Sequence, residues 1–313
     1  MKLAFVFPGQ GSQSVGMMSG FANVEPVKET FREASDLLDE DLWAMADNGP
    51  AETLNLTTNT QPLMLVAGIS VFRAWEQAGG PCPDVVAGHS LGEYSALVAA
   101  EAMKFSDAVP LVRFRARCMQ EAVPAGHGAM AAILGLDDDG VRAACELASR
   151  DDELAEAANF NAPGQVVVAG QKAAVERAIE NAKQKGAKRA MLLPMSVPSH
   201  CTLMKPASER LARKLDELAL QEPKIPVIHN ESVAPAESVT QLREALVRQL
   251  YRPVRWAETI TRLVDSGVTH IVECGPGKVL AGLNRRIGGD VQTIALTDVN
   301  SLNDAVSLLK GDQ

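Results

Sequence analysis

The chain has no run of apolar residues approaching the roughly 18–20 that a membrane-spanning helix needs, so no membrane partner is expected. It also lacks an excess of positive charge: 30 Lys and Arg stand against 39 Asp and Glu, a formal net charge of −9. That balance excludes a general nucleic-acid binder, which carries a basic field, and leaves room only for a local basic patch. Cysteine is sparse, and Cys82, Cys118, Cys145, Cys201 and Cys274 form no Cys-x-x-Cys pair. An odd, scattered set excludes a disulfide framework and a zinc site; it fits core filling in a reducing cytoplasm. Internal repeats and low-complexity tracts are absent as well. The apolar start stops at Pro8-Gly9, too early for a secretory signal, and reads as a first strand. What remains, 313 residues with 46% hydrophobic and 22% charged side chains, is an ordinary soluble globular chain able to bury a large core. One large domain with an insertion and two separate domains both fit that length.

Short apolar strands alternate with longer helical patterns. Strands are expected at Leu3–Phe7, Asp84–Ala87, Pro226–Ile228, Thr269–Glu273 and Thr293–Leu296. Helices are expected at Gln61–Gln77, Leu91–Met103, Ser238–Leu250 and Trp256–Ser266. This alternation implies a parallel sheet covered by helices on both faces. The middle of the chain reads differently. Ala129–Leu134, Asp137–Ser149, Glu156–Phe160, Gln165–Ala169, Gln171–Lys185 and Lys188–Leu193 spell β-α-β-β-α-β, the ferredoxin-like order. The expected architecture is an α/β-hydrolase-like core formed by 1–125 and 196–313, with a ferredoxin-like α+β subdomain inserted at 126–195.

Gly88-His89-Ser90-Leu91-Gly92 is a G-x-S-x-G pentapeptide set between an expected strand and an expected helix. At such a turn the serine hydroxyl projects off the end of the sheet, and the glycines allow the reversal without a Cβ clash. The amides that open the helix then point at whatever the serine attacks. Ser90 is the candidate nucleophile. Of the five histidines, His89 adjoins the serine and points elsewhere, His127 lies in a Gly-rich connector, and His270 lies within a strand. His229 ends a strand without a second cue. His200 is the best candidate base, in the stiff segment Ser196–Cys201 and later in the chain than the serine. No Asp or Glu between them offers a clear third member; a histidine oriented by a backbone carbonyl is chemically acceptable. Pro8-Gly9-Gln10-Gly11-Ser12-Gln13 follows the first strand, and Gln10 could supply a second oxyanion donor beside Leu91. Arg113, Arg115 and Arg117 alternate with Phe114 and Ala116, and nothing in the pattern separates one arginine from its neighbours. Gly275-Pro276-Gly277-Lys278 lacks the leading glycine and the Ser/Thr of a P-loop, and reads as a tight strand-to-helix turn.

PGQGSQ at 8–13, GHSLGE at 88–93, RARCMQ at 115–120, NFNAPGQVVVAG at 159–170, VPSH at 197–200 and ECGPGKVL at 273–280 span nearly the whole chain. Together they resemble the malonyl-CoA:acyl carrier protein transacylases of fatty-acid synthesis. The resemblance implies a ping-pong transfer in which Ser90 takes malonyl from the CoA thioester and passes it to the phosphopantetheine thiol of holo acyl carrier protein, with no permanently bound cofactor. By the same resemblance, the Gln10 and Leu91 amides form the oxyanion hole and the main-chain carbonyl of Gln249 orients His200. Arg115, four residues before Met119, holds the malonyl carboxylate, and Met119, Asn159, Asn161 and Gln165 line the substrate cleft. A bidentate guanidinium suits a carboxylate independently of any family. One position departs from the wider pattern: related acyltransferases that choose malonyl often carry Phe where this chain has Ser199.

A serine hydrolase on the same elbow and a non-catalytic scaffold of acyltransferase ancestry are the competing readings. An acidic carrier calls for a basic rim, for which Lys183, Lys185, Lys188 and Arg189, or Arg285 and Arg286, are the candidates.

Overall fold

The computed structural model describes residues 1–195 and 197–311. The first strand is β1 (Leu3–Phe7), followed by helices α1 (Glu25–Leu38), α2 (Leu42–Asn48), α3 (Ala51–Leu54) and α4 (Thr57–Gln77). Next come β2 (Val85–Gly88), α5 (Gly92–Ala99) and α6 (Phe105–Ala122). The middle of the chain forms β3 (Gly128–Leu134), α7 (Asp138–Ala148), β4 (Ala155–Ala162), β5 (Gln165–Gln171), α8 (Lys172–Gln184) and β6 (Arg189–Leu192). The remainder is α9 (Lys205–Asp216), β7 (Val227–Ile228), α10 (Val239–Gln249), α11 (Trp256–Asp265), β8 (His270–Cys274), α12 (Val279–Ile287), β9 (Gln292–Leu296) and α13 (Val299–Gly311).

Strands drawn from both ends of the sequence make one parallel sheet in the order β7-β2-β1-β8-β9. The strands β1 and β8 are buried along their whole length, so they read as continuous apolar runs with no alternation. Phe5 and Phe7 pack beneath α4 on one face, while Ala4 and Val6 meet α11 and α12 through Trp256, Ile260 and Leu280 on the other. The chain leaves β1 toward β2 on one side and returns with β8 on the other. A crevice therefore opens at the carboxyl ends of these central strands, where open α/β sheets bind their ligands.

The second sheet is antiparallel, in the order β4-β5-β3-β6, which is the ferredoxin-like arrangement expected from the β-α-β-β-α-β pattern. The helices α7 and α8 cover one face around Val141, Val166, Val168 and Val175. The other face carries Met130, Val167 and Ala169 against Cys201, and so looks toward the first sheet's crevice.

One helix expected from the sequence is shorter in the structure, and one helix was not expected. The helix after the elbow ends at Ala99, four residues short of Met103, because Glu101 adopts a left-handed φ of 57° and the chain turns there. Phe105–Ala122, read only as alternating arginines, is an 18-residue helix whose buried face is set by Ala108, Val112, Arg115 and Met119. No described helix is long and apolar enough to cross a membrane.

Candidate active site

The serine stands at the junction of β2 and α5. Gly88 pairs with Phe7 across β1, and the chain then reverses so tightly that Ser90 takes a left-handed φ of 51°. Both flanking glycines are required by contact. A Cβ on Gly88 would lie 1.9 Å from the Gly92 carbonyl carbon, and one on Gly92 would lie 2.0 Å from the Phe7 oxygen. A Cβ on Gly9 would lie 2.4 Å from the His89 oxygen, so the Pro8–Gln10 turn rests directly on the elbow. A left-handed non-glycine residue costs about 1–2 kcal/mol. Asn230 offsets this strain: its Oδ1 accepts the Ser90 N–H at 2.7 Å, and its Nδ2 donates to the Gly88 oxygen at 2.6 Å.

The base candidate faces this serine. His200 also sits at positive φ, 62°, held by a hydrogen bond from its main-chain N–H to the Leu250 oxygen at 2.9 Å. Its Nε2 is 2.7 Å from Ser90 Oγ, and its Nδ1 is 2.7 Å from the Gln249 oxygen. A carbonyl only accepts, so Nδ1 carries the proton and Nε2 is left as the acceptor for the serine hydroxyl. Burial, reinforced by the charge of Arg115, pushes the His200 pKa down to about 3. The imidazole is therefore neutral throughout the physiological range, with Nε2 as the acceptor facing the serine.

The tie among the three arginines is broken by α6. Arg113 points away and makes two hydrogen bonds to Glu40, at 2.7 and 2.6 Å; Arg117 is exposed. Arg115 is only 1% exposed and points inward. Its Nη1 donates to Gln61 Oε1 at 2.8 Å and its Nη2 to Gln249 Oε1 at 2.9 Å, with Ser90 Oγ 3.4 Å from Nη2. Tyr94 lies beneath it, with the guanidinium carbon 5.4 Å from the ring centroid. Burial lowers the arginine's pKa, yet a guanidinium stays charged at such a site. The result is a dry positive charge beside a nucleophile.

Around this centre is a cleft of about 390 Å³ between the two sheets. Gln10, Leu91, Arg115, Met119, Asn159 and Asn161 all line it with Ser90 and His200. Neither the Gln10 nor the Leu91 main-chain N–H bonds to another main-chain group among the described residues. His89 makes a 2.8 Å hydrogen bond with Asn161 Oδ1 and leans on Trp256, which ties the elbow to β4. Ser199 is at the wall. Gln165 does not join them: at the start of β5 it accepts from Arg286 at 2.5 Å, outside the cleft lining. Gly275–Lys278 is the strand-to-helix turn expected between β8 and α12, with Gly275 and Gly277 both at positive φ. Among the described residues, no cluster of three or more His, Cys, Asp or Glu could hold a metal.

Sequence reasoning did not find the support behind the site. Glu93, fully buried at the start of α5, accepts from His229 Nδ1 at 2.7 Å, the Asn230 N–H at 3.0 Å and Gln249 Nε2 at 3.0 Å. Gln249 also donates to the Ser90 oxygen at 2.8 Å. His229 thus faces Glu93 and not the serine. The available signal was polar residues in apolar helices: Gln61 lies in a buried stretch of α4, and Glu93 follows the elbow directly.

Residues 4–296 match the acyl transferase domain family. The chain belongs to that family. It is 52% identical over 304 residues to the malonyl CoA-acyl carrier protein transacylase of Haemophilus influenzae, covering 96% of this chain and 97% of that one. The acyltransferase fold is shared with an acyl-carrier-protein S-malonyltransferase from Burkholderia pseudomallei at 57% identity and a TM-score of 0.96, over 98% of this chain and 100% of the other. It is also shared, at 48% identity and a TM-score of 0.97, with the malonyl-transacylase in a complex with a type II polyketide acyl carrier protein, over 98% and 100% of the two chains.

Proposed function

We propose that this acyltransferase moves malonyl from malonyl-CoA to the phosphopantetheine thiol of acyl carrier protein, through a malonyl ester on Ser90. The observation that carries this reading is the buried Arg115 guanidinium, in no ion pair among the described residues, 3.4 Å from a serine already bonded to its base. Ser90 Oγ attacks the thioester carbon as its proton passes to His200 Nε2. The carbonyl oxygen becomes an oxyanion held by the Gln10 and Leu91 amides. Its collapse breaks the carbon–sulfur bond, and the CoA sulfur leaves with the proton from His200. The carrier thiol then repeats the sequence in reverse: its proton goes to His200, its sulfur takes the malonyl carbon, and Ser90 regains its hydrogen. Arg115 pairs with the malonyl carboxylate in both halves. The Gln249 carbonyl stabilises the imidazolium less than a carboxylate would, which suits a base that must return its proton quickly.

The chemistry needs no resident cofactor; malonyl-CoA is the substrate. Met119, Asn159 and Asn161 are assigned to the substrate wall; Gln165, bonded to Arg286, is left out of it. We assign 1–125 and 196–313 to the catalytic core and 126–195 to the inserted subdomain; the boundary residue Ser196 lies outside the described residues. A cytoplasmic location follows from substrate supply and five free thiols. The malonyl-carrier product serves fatty-acid elongation.

Carrier docking is assigned to the exposed Lys185, Lys188 and Arg189, which lie together along the turn from α8 into β6, whereas Lys183 is paired with Glu180. Incubation with malonyl-CoA and holo carrier tests the function. Malonyl-carrier is the expected product, and release of free malonate alone would support the hydrolase instead.

A further inference from the structure

A fully buried guanidinium normally sits against a carboxylate. Arg115 does not. No Asp or Glu oxygen lies within ion-pair distance of it among the described residues, whereas Arg113, two residues earlier on the same helix, has Glu40. Its two terminal nitrogens are held instead by the side-chain oxygens of two glutamines, Gln61 from α4 and Gln249 from α10, and its Nε–H has no hydrogen-bond partner. Each amide is fixed end for end. Gln61 Nε2 donates to Met119 Sδ at 3.5 Å, and Gln249 Nε2 donates to Glu93 at 3.0 Å, so both carbonyl oxygens must face the arginine. Among the described residues, Glu93 is the anion that this network reaches, and the Gln249 amide stands between it and the guanidinium.

We infer that Gln61 and Gln249 form a neutral cradle, and that Gln61 is a specificity-determining positioning residue that keeps the Arg115 charge available for an acyl group ending in a carboxylate. Neutral acceptors fix the plane of the guanidinium without cancelling its charge. The substrate carboxylate then becomes its first counter-ion, and acyl groups without one leave the charge buried and unpaired. A glutamate at the same place would be isosteric and would satisfy the arginine permanently. This inference rests on the reading that Arg115 meets the acyl carboxylate, and the two can fail separately.

The experiment compares kcat/KM for malonyl-CoA and acetyl-CoA loading in the parent, Gln61→Glu, Gln61→Met and Arg115→Ala proteins, each checked for folding by circular dichroism. Gln61→Glu is expected to lower the malonyl-to-acetyl ratio by about 100-fold, the scale expected when a charge-assisted hydrogen bond in a dry site is removed. Gln61→Met, which loses an acceptor and adds no charge, should raise KM for malonyl-CoA by about 10-fold and leave acetyl loading within about threefold. Where Gln61→Glu does not fold, Gln61→Met decides alone. Unchanged malonyl KM, or equal losses with both acyl groups, in either Gln61 variant would overturn the cradle. A ratio unchanged in Arg115→Ala would instead overturn the carboxylate clamp on which the cradle depends.

Discussion

The base in this site should work at a pH where an ordinary histidine has stopped. His200 is buried beside Arg115, and its pKa is pushed down to about 3, below the usual value near 6.5. At pH 5.5 a histidine titrating at 6.5 is only about 9% neutral, so loading would fall about tenfold from its value at pH 7.5. With the lowered value the imidazole stays almost fully neutral, and the fall should be less than about twofold. The sign follows from burial first and the Arg115 cation second, since both disfavour imidazolium. Arg115→Met removes the cation while leaving the burial, so the acid limb should move upward toward neutrality. Two rates read this across pH 5–8: malonyl loading by acid-quenched intact mass, and modification of Ser90 by a neutral fluorophosphonate, which does not need the carboxylate contact. A parent enzyme that loses tenfold with a midpoint near 6.5 while still folded would refute the reasoning. So would an Arg115→Met protein whose limb moves toward lower pH. The same group bears on stability. Below pH 6.5 the unfolded chain binds a proton at His200 that the folded chain refuses, so stability falls with pH between about 6.5 and 3, by about 1.4 kcal/mol per unit from this residue.

Gly92→Ala would force a Cβ to within 2.0 Å of the Phe7 oxygen. It should destabilise the fold by about 2–3 kcal/mol in thermal or denaturant melts and abolish loading, because the elbow must open to relieve the clash. Glu93→Ala removes the acceptor shared by His229, Asn230 and Gln249. A loss of about 3 kcal/mol in urea unfolding is expected, with a lower kcat and little change in KM, since the serine and base are displaced while the cleft wall remains. Reversing Lys185, Lys188 and Arg189 to Glu should raise KM for the carrier several-fold at low salt, lose the salt dependence of transfer, and leave malonyl loading from CoA unchanged.

How much of this was legible before the structure depended on whether a residue's role was local. The elbow was readable because its chemistry is written in five consecutive residues flanked by a strand and a helix. The ferredoxin-like insertion was readable because alternating elements set the topology, and β4-β5-β3-β6 follows from that order. Arg115 could not be separated from Arg113 and Arg117 by pattern. The choice is made by rotation around α6 and by Glu40, which lies 73 residues away. The cradle was invisible for the same reason: Gln61, Met119 and Gln249 meet only through tertiary packing. Gln165 shows the opposite failure. A position in a motif suggested the cleft, but at the start of β5, an interior strand of its sheet, the side chain accepts from Arg286. The helix after the elbow was overextended because apolar residues continue past Ala99, whereas the left-handed turn at Glu101 has no signature in hydrophobicity.

The central claim is that Ser90 carries malonate between two thiols. Intact mass after exposure to malonyl-CoA should rise by one malonyl unit, the added mass should map to Ser90, and addition of holo carrier should discharge it onto the carrier within the turnover time. Ser90→Ala should show no adduct. Failure to form the adduct in the parent, or discharge to water at the same rate with and without carrier, would contradict the account.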